Sequence, residues 1–293
     1  MVYNVRMKKL IVSKKYNNKK LENFLKDTIN LSNGLFYKTL RKKDIKVNGK
    51  RISENITVFE NDEILVYVAD ELLNSFKLDI IYEDNYILLI NKPINIEVTG
   101  TNSLTNFVHK KYASSKFLPM PCHRLDRNTS GLILFAKNAS SLNILLDKFK
   151  NHEIEKHYYA LIYGKPKKEN DILEAFLFKD SSKSLVYISD IPKKGYSKII
   201  TSYSLVKNFN DGSSLLDVEI KTGKTHQIRA HLAHIGLPII GDGKYGINEI
   251  NKKFKSKTQK LVSYKLKFNF KTDSGILNYL NGKEFELKNN ILI

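Results

Sequence analysis

The sequence predicts an α+β fold, in which a small α/β module precedes a larger domain with a mixed, mainly antiparallel sheet and flanking helices. Beyond residue 77, strand-like segments outnumber helical ones and follow one another too closely for regular βαβ crossovers. Before residue 70, two amphipathic helical segments are followed by short strands. A chain of 293 residues is also long for a single core. We therefore predict two domains, residues 1–70 and 77–293, joined by "ADELLNSF" at 69–76.

The N-terminal module combines helices with a hairpin. "KLENFLKDTI" has apolar residues at helical spacing, and "LFYKTLRKKD" predicts a second helix with a basic face of Lys38, Arg41 and Lys42. "IKVNGKRIS" places Asn48-Gly49 between two apolar runs, which predicts a hairpin. "VFENDEILVYV" predicts a closing strand after a turn at Asn61, because asparagine tolerates the left-handed backbone.

The larger domain contains many strand-like segments and one clear helix. "LDIIYEDNYILLINKP" predicts two strands around a turn, and "LILFA" predicts a buried strand. "SLNILLDKFKNH" predicts a helix with Leu142, Leu145, Leu146 and Phe149 on one face. Further strands, rich in aromatic and β-branched residues, are predicted for "HYYALIYG", "KSLVYIS", "YSKIITSYSLV" and "SSLLDVEIKTG".

The charge of the chain indicates a polyanionic partner. Lys and Arg number 49 against 30 Asp and Glu, a formal net charge of +19, and residues 1–70 alone carry fifteen basic and eight acidic residues. Such a surplus attracts nucleic acid, although a lysine-rich surface can also reflect a general compositional bias. Only six of the 49 basic residues are arginines, and Arg124 and Arg127 flank Asp126. This placement favours a specific task for a planar, multidentate cation.

Other function classes are disfavoured by composition. The single cysteine, Cys122, excludes internal disulfides and gives no support for a thiolate metal cage. No stretch reaches the ~20 apolar residues that span a bilayer. The N-terminus also lacks the apolar core and cleavage site of a signal peptide. We expect a cytoplasmic protein, and a monomer because no apolar interface stripe is visible.

The segment "HRLDRNTSGL", residues 123–132, places Asp126 in a turn-forming cluster before a buried strand. The neighbouring guanidinium groups would keep the carboxylate ionised and aimed. An ionised aspartate in such a place could act as a nucleophile, a base or a stabiliser of a cation. It could equally cap its own turn, which is the usual role of an aspartate in a loop.

Two other segments carry candidate functional residues. "KTGKTHQIRAHLAHIGLPIIGDGKYG", residues 221–246, contains Arg229, the natural partner of Asp126 if the fold brings the two together. Its histidines, His226, His231 and His234, lack the carboxylate and spacing of a zinc hydrolase, and we predict no metal site. Its glycines lack the strand–GKT/S–helix order of a phosphate loop. In "EKHYYALIYG", Tyr158 and its neighbour would point to opposite faces of a strand, so only one could face Asp126.

Together these segments resemble the RluA-type RNA pseudouridine synthases, which isomerise uridine to pseudouridine in RNA. "HRLDRNTSGL" is similar to the catalytic signature of that family, "TGKTHQIRAHLAHIGLPIIGDGKYG" to its other long motif, and "NKPINIEV" to its opening one, with Asn95 where glycine is usual. The resemblance covers roughly residues 77–270. The N-terminal module resembles the small RNA-binding domain first described in a ribosomal protein and carried by many members of the family.

The resemblance implies a role for each matching residue. Asp126 would be the catalytic aspartate, Arg229 its ion-pair partner, and Tyr158 the aromatic that stacks on the target uracil and helps to move a proton. Arg124 would enter the RNA stack as the target nucleotide leaves it. No cofactor is expected. RNA contacts are also expected from a set of residues beside the motifs and in the N-terminal module, namely His123, Lys92, Lys38, Arg41, Lys42, Lys50 and Arg51.

Ribosomal RNA of the large subunit is the favoured substrate because the N-terminal module is attached. A tRNA pseudouridine synthase is the nearest alternative. The alternative from another class is a non-catalytic RNA-binding or ribosome-assembly protein. Binding alone does not require a carboxylate beside a polyanion, so the presence of Asp126, Tyr158 and Arg229 together favours the enzyme.

Overall fold

The computed structural model describes residues 5–29, 31, 33–69, 77–100 and 103–288. The chain divides into two compact units, Met1–Lys77 and Leu78–Ile293. Of the predicted linker at 69–76, only Ala69 lies among the described residues. Within those residues, no helix combines the length and the apolar character that crossing a membrane requires.

The first unit has two helices and a small antiparallel sheet around one apolar core. Its elements are β1 (Val5–Ile11), a 3-10 turn (Lys14–Tyr16), β2 (Lys19–Lys20), α1 (Leu21–Ile29), α2 (Asn33–Arg41), β3 (Ile45–Val47), β4 (Lys50–Arg51), β5 (Thr57–Val58) and β6 (Glu63–Ala69). The sheet order is β1-β6-β3-β4, and β2 pairs with β5. The core contains Phe24 and Leu25 of α1, Phe36 and Leu40 of α2, and Ile64 of β6.

The local predictions for this unit are confirmed. Asn48 (φ 49°) and Gly49 (φ 80°) both have positive φ, as a two-residue hairpin turn between β3 and β4 requires. Asn61 has a left-handed backbone (φ 69°) before β6. Helix α2 ends at Arg41, three residues earlier than predicted, because Lys43 adopts a left-handed conformation (φ 56°) and donates its N–H to Leu40 O.

The second unit is dominated by one large sheet. Its elements are β7 (Asp79–Glu83), β8 (Ile87–Lys92), α3 (Leu104–Lys111), β9 (Met120–Pro121), β10 (Ser130–Ala136), α4 (Ala139–Lys150), β11 (Ile154–Tyr163), β12 (Asn170–Asp180), β13 (Leu185–Ser189), β14 (Ser197–Asn208), β15 (Ser213–Ile220), α5 (Gln227–His234), α6 (Asn248–Lys253), β16 (Leu261–Phe268), a 3-10 helix (Gly275–Leu280) and β17 (Glu284–Glu286). The strand order is β13-β12-β14-β15-β11-β16-β10-β8-β7, with β17 beside β16 and β9 beside β10. The predicted α+β class, with its mainly antiparallel sheet and small N-terminal module, is confirmed.

Strands β10 and β16 pair in parallel, and they approach each other unusually closely. Gly131 pairs with Ser263, and a Cβ atom on Gly131 would lie 2.1 Å from the Ser263 carbonyl oxygen. The φ of Gly131 is +114°, which residues with a side chain rarely adopt. The glycine of "NTSGL" is therefore needed near the start of β10, five residues after Asp126.

Helices cover the sheet at two places. Leu145 of α4 and Leu277 of the 3-10 helix pack on Leu134 of β10 and Leu266 of β16. Ala230 of α5 packs against the core formed by β12, β13 and β14. These two clusters flank the central strands on which the candidate site is built.

One side chain was assigned to the wrong surface. Leu146 was predicted on the buried face of α4, but its side chain is 46% exposed, whereas Leu145 is fully buried. The buried stripe of the helix is narrow, and Leu142, Leu145 and Phe149 fill it at spacings of three and four residues. Strands β12 and β16 and helices α3, α5 and α6 were not predicted.

A buried ion pair fastens the end of α4. Lys148 Nζ lies 2.9 Å from Glu153 Oε2, and both side chains are at most 3% exposed. Glu153 also accepts hydrogen bonds from the backbone N–H groups of Lys271 and Thr272. Burial alone would raise the pKa of Glu153, but these hydrogen bonds outweigh it and lower the pKa to about 2.

We expect Gly131→Ala to destabilise the second unit by about 2 to 5 kcal/mol, because a positive φ and an overpacked strand contact each cost on the order of 1 to 3 kcal/mol. Urea unfolding followed by circular dichroism measures the change. Gly243→Ala is the matched control, since a Cβ atom there meets nothing within 4 Å. Equal unfolding midpoints for Gly131→Ala and wild type would contradict the close contact.

We expect Glu153→Gln to reduce the loss of unfolding free energy that accompanies a fall in pH below about 4.5. The folded-state pKa of about 2 lies below the ordinary 4.5, so the contribution of Glu153 is complete above pH 4.5 and is lost as the pH falls towards 2. The variant should also lose about 3 to 5 kcal/mol at pH 7, because Lys148 stays buried without its partner. Unfolding free energies between pH 2 and 7 test both effects, with the more exposed Glu155→Gln as control. An acid limb as steep as that of wild type would count against the pairing.

Candidate active site

The loop that carries Asp126 is fixed to the strands on both sides of it. The N–H of Thr129 donates to the carbonyl of Asp126 (3.1 Å), which closes a turn. Gln259, just before β16, donates its side-chain amide to Thr129 Oγ1 (2.6 Å), and both groups are buried. The turn predicted from "DRNTSG" is therefore present, and it holds Asp126 at the start of β10.

Lys92, at the end of β8, supports this loop from within. Its side chain is fully buried, and its ammonium donates to the carbonyl oxygens of Pro93 (2.8 Å), Ile96 (2.9 Å) and Arg127 (3.2 Å). Burial lowers the pKa of Lys92 to about 8, and the nearby Asp126 opposes that shift. The expectation of an RNA contact for Lys92 needs correction, because all three of its donors are used inside the protein. Asn95, in the same segment, has a left-handed backbone (φ 66°), which asparagine tolerates in place of the usual glycine.

Arg229 of α5 joins the loop of Asp126 to the segment after α5. Its Nη1 lies 2.9 Å from Asp126 Oδ2, and its Nε and Nη2 lie 2.7 and 2.9 Å from the two carboxylate oxygens of Asp242. The side chains of Arg229 and Asp242 are 7% and 0% exposed, whereas that of Asp126 is 18% exposed. One buried guanidinium thus holds one buried and one accessible carboxylate.

This arrangement keeps the buried pair charged. Burial alone would lower the pKa of Arg229 and raise that of Asp242, but their hydrogen bonds and mutual attraction raise the first and lower the second. Asp242 also accepts hydrogen bonds from the backbone N–H groups of Lys244 (2.8 Å) and Tyr245 (3.1 Å). Both oxygens of Asp242 are therefore used within the protein, by the guanidinium and by two backbone N–H groups.

Asp242 was missed by the sequence reasoning, which weighed "GDGKYG" only as a phosphate loop. The signal lay in its glycines. A Cβ atom on Gly241 would lie 2.0 Å from the Thr258 carbonyl oxygen, and one on Gly246 would lie 2.3 Å from the Asp242 carbonyl oxygen. Such tight backbone packing on both sides of an acidic residue indicates a residue held in one position.

Tyr158 of β11 faces the same space. Its side chain is 5% exposed, and burial together with the negative charge of Asp126 raises the pKa of its hydroxyl. Tyr159 points the other way and stacks on Tyr264, with ring centroids 3.6 Å apart. Tyr158 is thus the member of the pair that lies near Asp126, as a neutral phenol.

These side chains line one pocket of about 120 Å³ over the central strands. Asp126 and Arg229 lie on one wall, Tyr158, Ile220 and Leu261 come from the sheet, and the other lining residues are Arg124, Leu125, Thr129, Lys156, Gly223, Lys224, Thr225, His226, Gln227 and Ile228. Lys156 is a cation in this wall whose pKa is lowered by burial. The pocket therefore combines one accessible carboxylate with an aromatic ring and several cations.

His226 was considered in the sequence only as a metal ligand. It immediately precedes α5 and has a left-handed backbone (φ 54°, ψ 16°). Its Nε2 lies 3.8 Å from Asp126 Oδ2. Its Nδ1 lies 2.9 Å from the Tyr245 hydroxyl. The other two histidines turn elsewhere: His231 Nδ1 lies 3.0 Å from Thr201 Oγ1, and His234 pairs with Asp190. No group of three or more potential metal-ligating side chains occurs in the part of the chain that the structure describes.

The predicted RNA-contacting residues fall into two sets. Arg124 and the five basic residues of the first unit, Lys38, Arg41, Lys42, Lys50 and Arg51, are exposed. His123 is not available through its ring nitrogens: Nε2 accepts the N–H of Leu134 (3.1 Å), and Nδ1 is buried. Burial and the nearby Lys156 lower the pKa of His123 to about 3. His123 was expected to contact RNA, and this expectation is wrong for its ring nitrogens. The ring instead packs on Phe149.

Comparison with known proteins identifies the family. Residues 86–234, about half of the chain, match the family model described as RNA pseudouridylate synthase. A protein of Mycoplasma capricolum subsp. capricolum called "Uncharacterized RNA pseudouridine synthase" is 34% identical over 94% of this chain and 96% of its own. The "Ribosomal large subunit pseudouridine synthase C" of Rickettsia typhi is 33% identical over 79% of this chain and 83% of its own.

A solved structure shares the fold. "Human RNA Pseudouridylate Synthase Domain Containing 1" superposes with a TM-score of 0.59 at 21% identity, covering 73% of this chain and 84% of its own. The family match runs from β8 through α5 and includes Asp126, Tyr158 and Arg229. The chain accordingly belongs to the RNA pseudouridylate synthase family and is an RNA pseudouridine synthase.

Proposed function

We propose that the protein isomerises uridine to pseudouridine in large-subunit ribosomal RNA, with Asp126 as the catalytic carboxylate. The observation that carries the assignment to Asp126 is its position, as an accessible carboxylate held by a buried arginine inside a pocket with Tyr158. The substrate is supported by bacterial relatives from Rickettsia and Buchnera that are named as ribosomal large subunit synthases.

The reaction must break the bond between C1′ of the ribose and N1 of uracil, and then join C1′ to carbon 5. Breaking the first bond makes C1′ electron-poor, so an adjacent carboxylate can bond to the ribose or stabilise the cation. At the end a proton leaves carbon 5 and N1, no longer bonded to the ribose, takes one up, so the product has the same composition as the substrate. A single carboxylate can serve the first requirement only if it keeps its negative charge.

The ion-pair geometry supports that requirement. Arg229 carries one positive charge and contacts two carboxylates, so it does not neutralise both. It binds Asp242 through two nitrogens and Asp126 through one, which leaves Asp126 the less strongly bound of the two. Asp126 is thereby oriented while an oxygen stays available to the substrate.

Tyr158 supplies a flat ring beside the carboxylate. Because its pKa is raised by burial and by Asp126, the phenolate is disfavoured near neutral pH. We therefore assign Tyr158 to stacking on the uracil and to action as a neutral proton donor or acceptor, not as an ionised base. Aromatic stacking is worth roughly 1 to 3 kcal/mol per base.

The target uridine has to leave its stack to enter this pocket. Arg124 is exposed at the pocket and precedes Asp126 by two residues, so it can fill the space that the uridine vacates. Lys156 and Lys224, also in the lining, provide positive charge for the phosphates beside the flipped nucleotide.

The first unit provides an exposed basic surface that we assign to RNA binding. Arg41 and Lys42 end α2, and Lys50 and Arg51 form β4 of the hairpin. Arg51 Nη1 donates to the carbonyl of Lys43 (3.1 Å), which fastens the hairpin to the end of α2. The four cations therefore belong to one surface, which suits phosphate contacts.

The finer proposals concern location and assembly. Ribosome assembly in bacteria places the substrate in the cytoplasm, and we propose that the enzyme works there as a monomer. The alternatives are a tRNA substrate, and a non-catalytic role in RNA binding or ribosome assembly.

We expect Asp126→Asn to abolish pseudouridine formation, because the amide carries no charge to stabilise C1′. Pseudouridine is mapped in total RNA of cells lacking the gene, complemented with wild type, Asp126→Asn or the exposed control Asp147→Asn. Sites should disappear on deletion and return with wild type and the control only. Restoration of every site by Asp126→Asn would refute catalysis by Asp126, and loss confined to tRNA would refute the ribosomal substrate.

We expect replacement of Arg41, Lys42, Lys50 and Arg51 by glutamine to weaken RNA binding without changing the rate at saturation. Each lost phosphate contact should reduce the slope of log affinity against log salt by about 1. The control replaces four other exposed lysines of the same unit, Lys14, Lys15, Lys19 and Lys20, and so removes the same charge. Equal losses in the two variants would show that no particular surface of the module binds RNA.

A further inference from the structure

We infer that His226 is a further catalytic residue, which presents a fixed Nε2–H to the reacting uridine. The inference rests on the proposed function, because it takes the pocket beside Asp126 as the place where the uridine reacts. It concerns a side chain that the ion pair of Asp126 does not use.

The backbone of His226 has an uncommon conformation. Its left-handed φ of 54° and ψ of 16° are rare for residues other than glycine, although histidine, like asparagine and aspartate, adopts them more often than most residues do. The side chain makes no capping hydrogen bond to α5, so capping does not account for this conformation. The conformation instead places an imidazole that is 14% exposed in the lining of the pocket, beside Asp126 and Tyr158. Strain of this kind is typical of functional sites.

The hydrogen bonds fix which ring nitrogen carries the proton. The Tyr245 hydroxyl accepts the backbone N–H of Val186 (2.9 Å) and lies 2.9 Å from His226 Nδ1. Since the hydroxyl accepts from Val186, we assign its one hydrogen to His226 Nδ1, the acceptor at 2.9 Å. His226 Nδ1 therefore accepts, and in the neutral ring the proton sits on Nε2.

Among the residues that the structure describes, none accepts a hydrogen bond from that Nε2–H. Its neighbour across the pocket, Asp126 Oδ2, is 3.8 Å away, which is beyond hydrogen-bond length. The ring also stays neutral: burial lowers the pKa of His226, Arg229 and Lys244 act in the same direction, and Asp126 and Asp242 only partly oppose them. A neutral donor does not compete with Arg229 for the charge of Asp126.

A donor at this place has a chemical use. When the bond between C1′ and N1 breaks, the electron pair goes to the uracil, whose N1, O2 and O4 then share a negative charge. A hydrogen bond from His226 Nε2 to one of the carbonyl oxygens strengthens as this charge develops, so it favours the transition state over the bound substrate. No proton is transferred, and His226 ends the step as it began.

The same segment therefore supports both groups of the site. In "GDGKYG", Asp242 holds Arg229 and Tyr245 holds His226, and the Tyr245 ring lies under the guanidinium, 5.3 Å from its Cζ. Arg229 and His226 are three residues apart in "THQIR". The two segments thus orient the Asp126 carboxylate through Arg229 and hold the neutral donor His226 beside it.

The test compares two replacements of similar length. His226→Gln keeps an amide N–H near the place of Nε2, and His226→Met removes the donor. Maximal single-turnover rates on a ribosomal RNA fragment that wild type modifies should fall by about 10² to 10³-fold for His226→Met. The RNA concentration that gives half the maximal rate should change little. His226→Gln should recover most of that loss. His234→Met, on the exposed end of the same helix, is the control and should keep the wild-type rate.

A double-mutant cycle tests the role of Tyr245. Tyr245→Phe should slow wild type but have no further effect in His226→Met, because its hydroxyl acts through that imidazole. Unfolding midpoints near that of wild type show that the variants are folded.

Each other result overturns the inference. A His226→Met rate near that of wild type, or equal losses in the Gln and Met variants, would exclude a donor role. Additive losses with Tyr245→Phe would show that the tyrosine acts through Arg229 or the backbone of Val186 and does not fix the imidazole. If wild type itself modifies no ribosomal RNA, the proposed function fails and the inference fails with it. Failure of the inference alone leaves wild type and the Asp126→Asn result unchanged.

Discussion

The contact on which the site depends is the guanidinium of Arg229 between two carboxylates. It joins helix α5 and the turn at Asp242, thirteen residues apart at Arg229 and Asp242, to the loop of Asp126, which precedes Arg229 by 103 residues. A buried arginine is costly to desolvate unless its donors are satisfied, and here Asp242 satisfies two nitrogens in the interior. The third is then free to orient a carboxylate that solvent can reach. Because Asp242 fixes the Arg229 guanidinium in the interior, Arg229 can hold the accessible carboxylate of Asp126 in a defined place.

Backbone proximity provides the frame for this contact. Gly131 lets β10 approach β16, and the loop of Asp126 begins just before that contact. Thr129 and Gln259 tie the same loop to the start of β16, and buried Lys92 ties it to the end of β8. Residues that look like surface cations or small turn residues in the sequence therefore act as supports. Glycine at 131 is required by the distance between two strands, and lysine at 92 by three carbonyl groups that would otherwise lack donors.

The polar groups of the pocket differ in charge in a way that suits isomerisation. In the proposed reaction Asp126 stands beside the carbon that becomes electron-poor, whereas burial favours the neutral forms of Tyr158 and His226 by raising the pKa of the first and lowering that of the second. A neutral phenol and a neutral imidazole can contact a uracil that becomes negative without drawing the carboxylate away from the ribose. The cations of the lining, Lys156 among them, supply the positive charge that we propose for phosphate contacts. The division of charge follows from residue type, and burial reinforces it for Tyr158 and His226.

The sequence by itself determined the features that depend on neighbouring residues. The hairpin at Asn48-Gly49, the helices α1 and α4, and the turn that presents Asp126 follow from turn chemistry and apolar spacing, which act over a few residues. The pairing of Arg229 with Asp126 could be suggested because arginine is rare in a lysine-rich chain.

Only the tertiary structure decided the roles of Asp242, Tyr245, His226, Lys92 and His123. Each depends on a contact that the fold creates between side chains and backbone groups, or on the burial of its own side chain, and local composition carries neither quantity. Strand β16 was missed for the same reason. Most of its side chains are buried, and it lies between β10 and β11, whose paired residues precede it by more than a hundred positions. The physical reason is that hydrogen-bond partners and dielectric environment are properties of the packed molecule, whereas turns and helical stripes are properties of the chain.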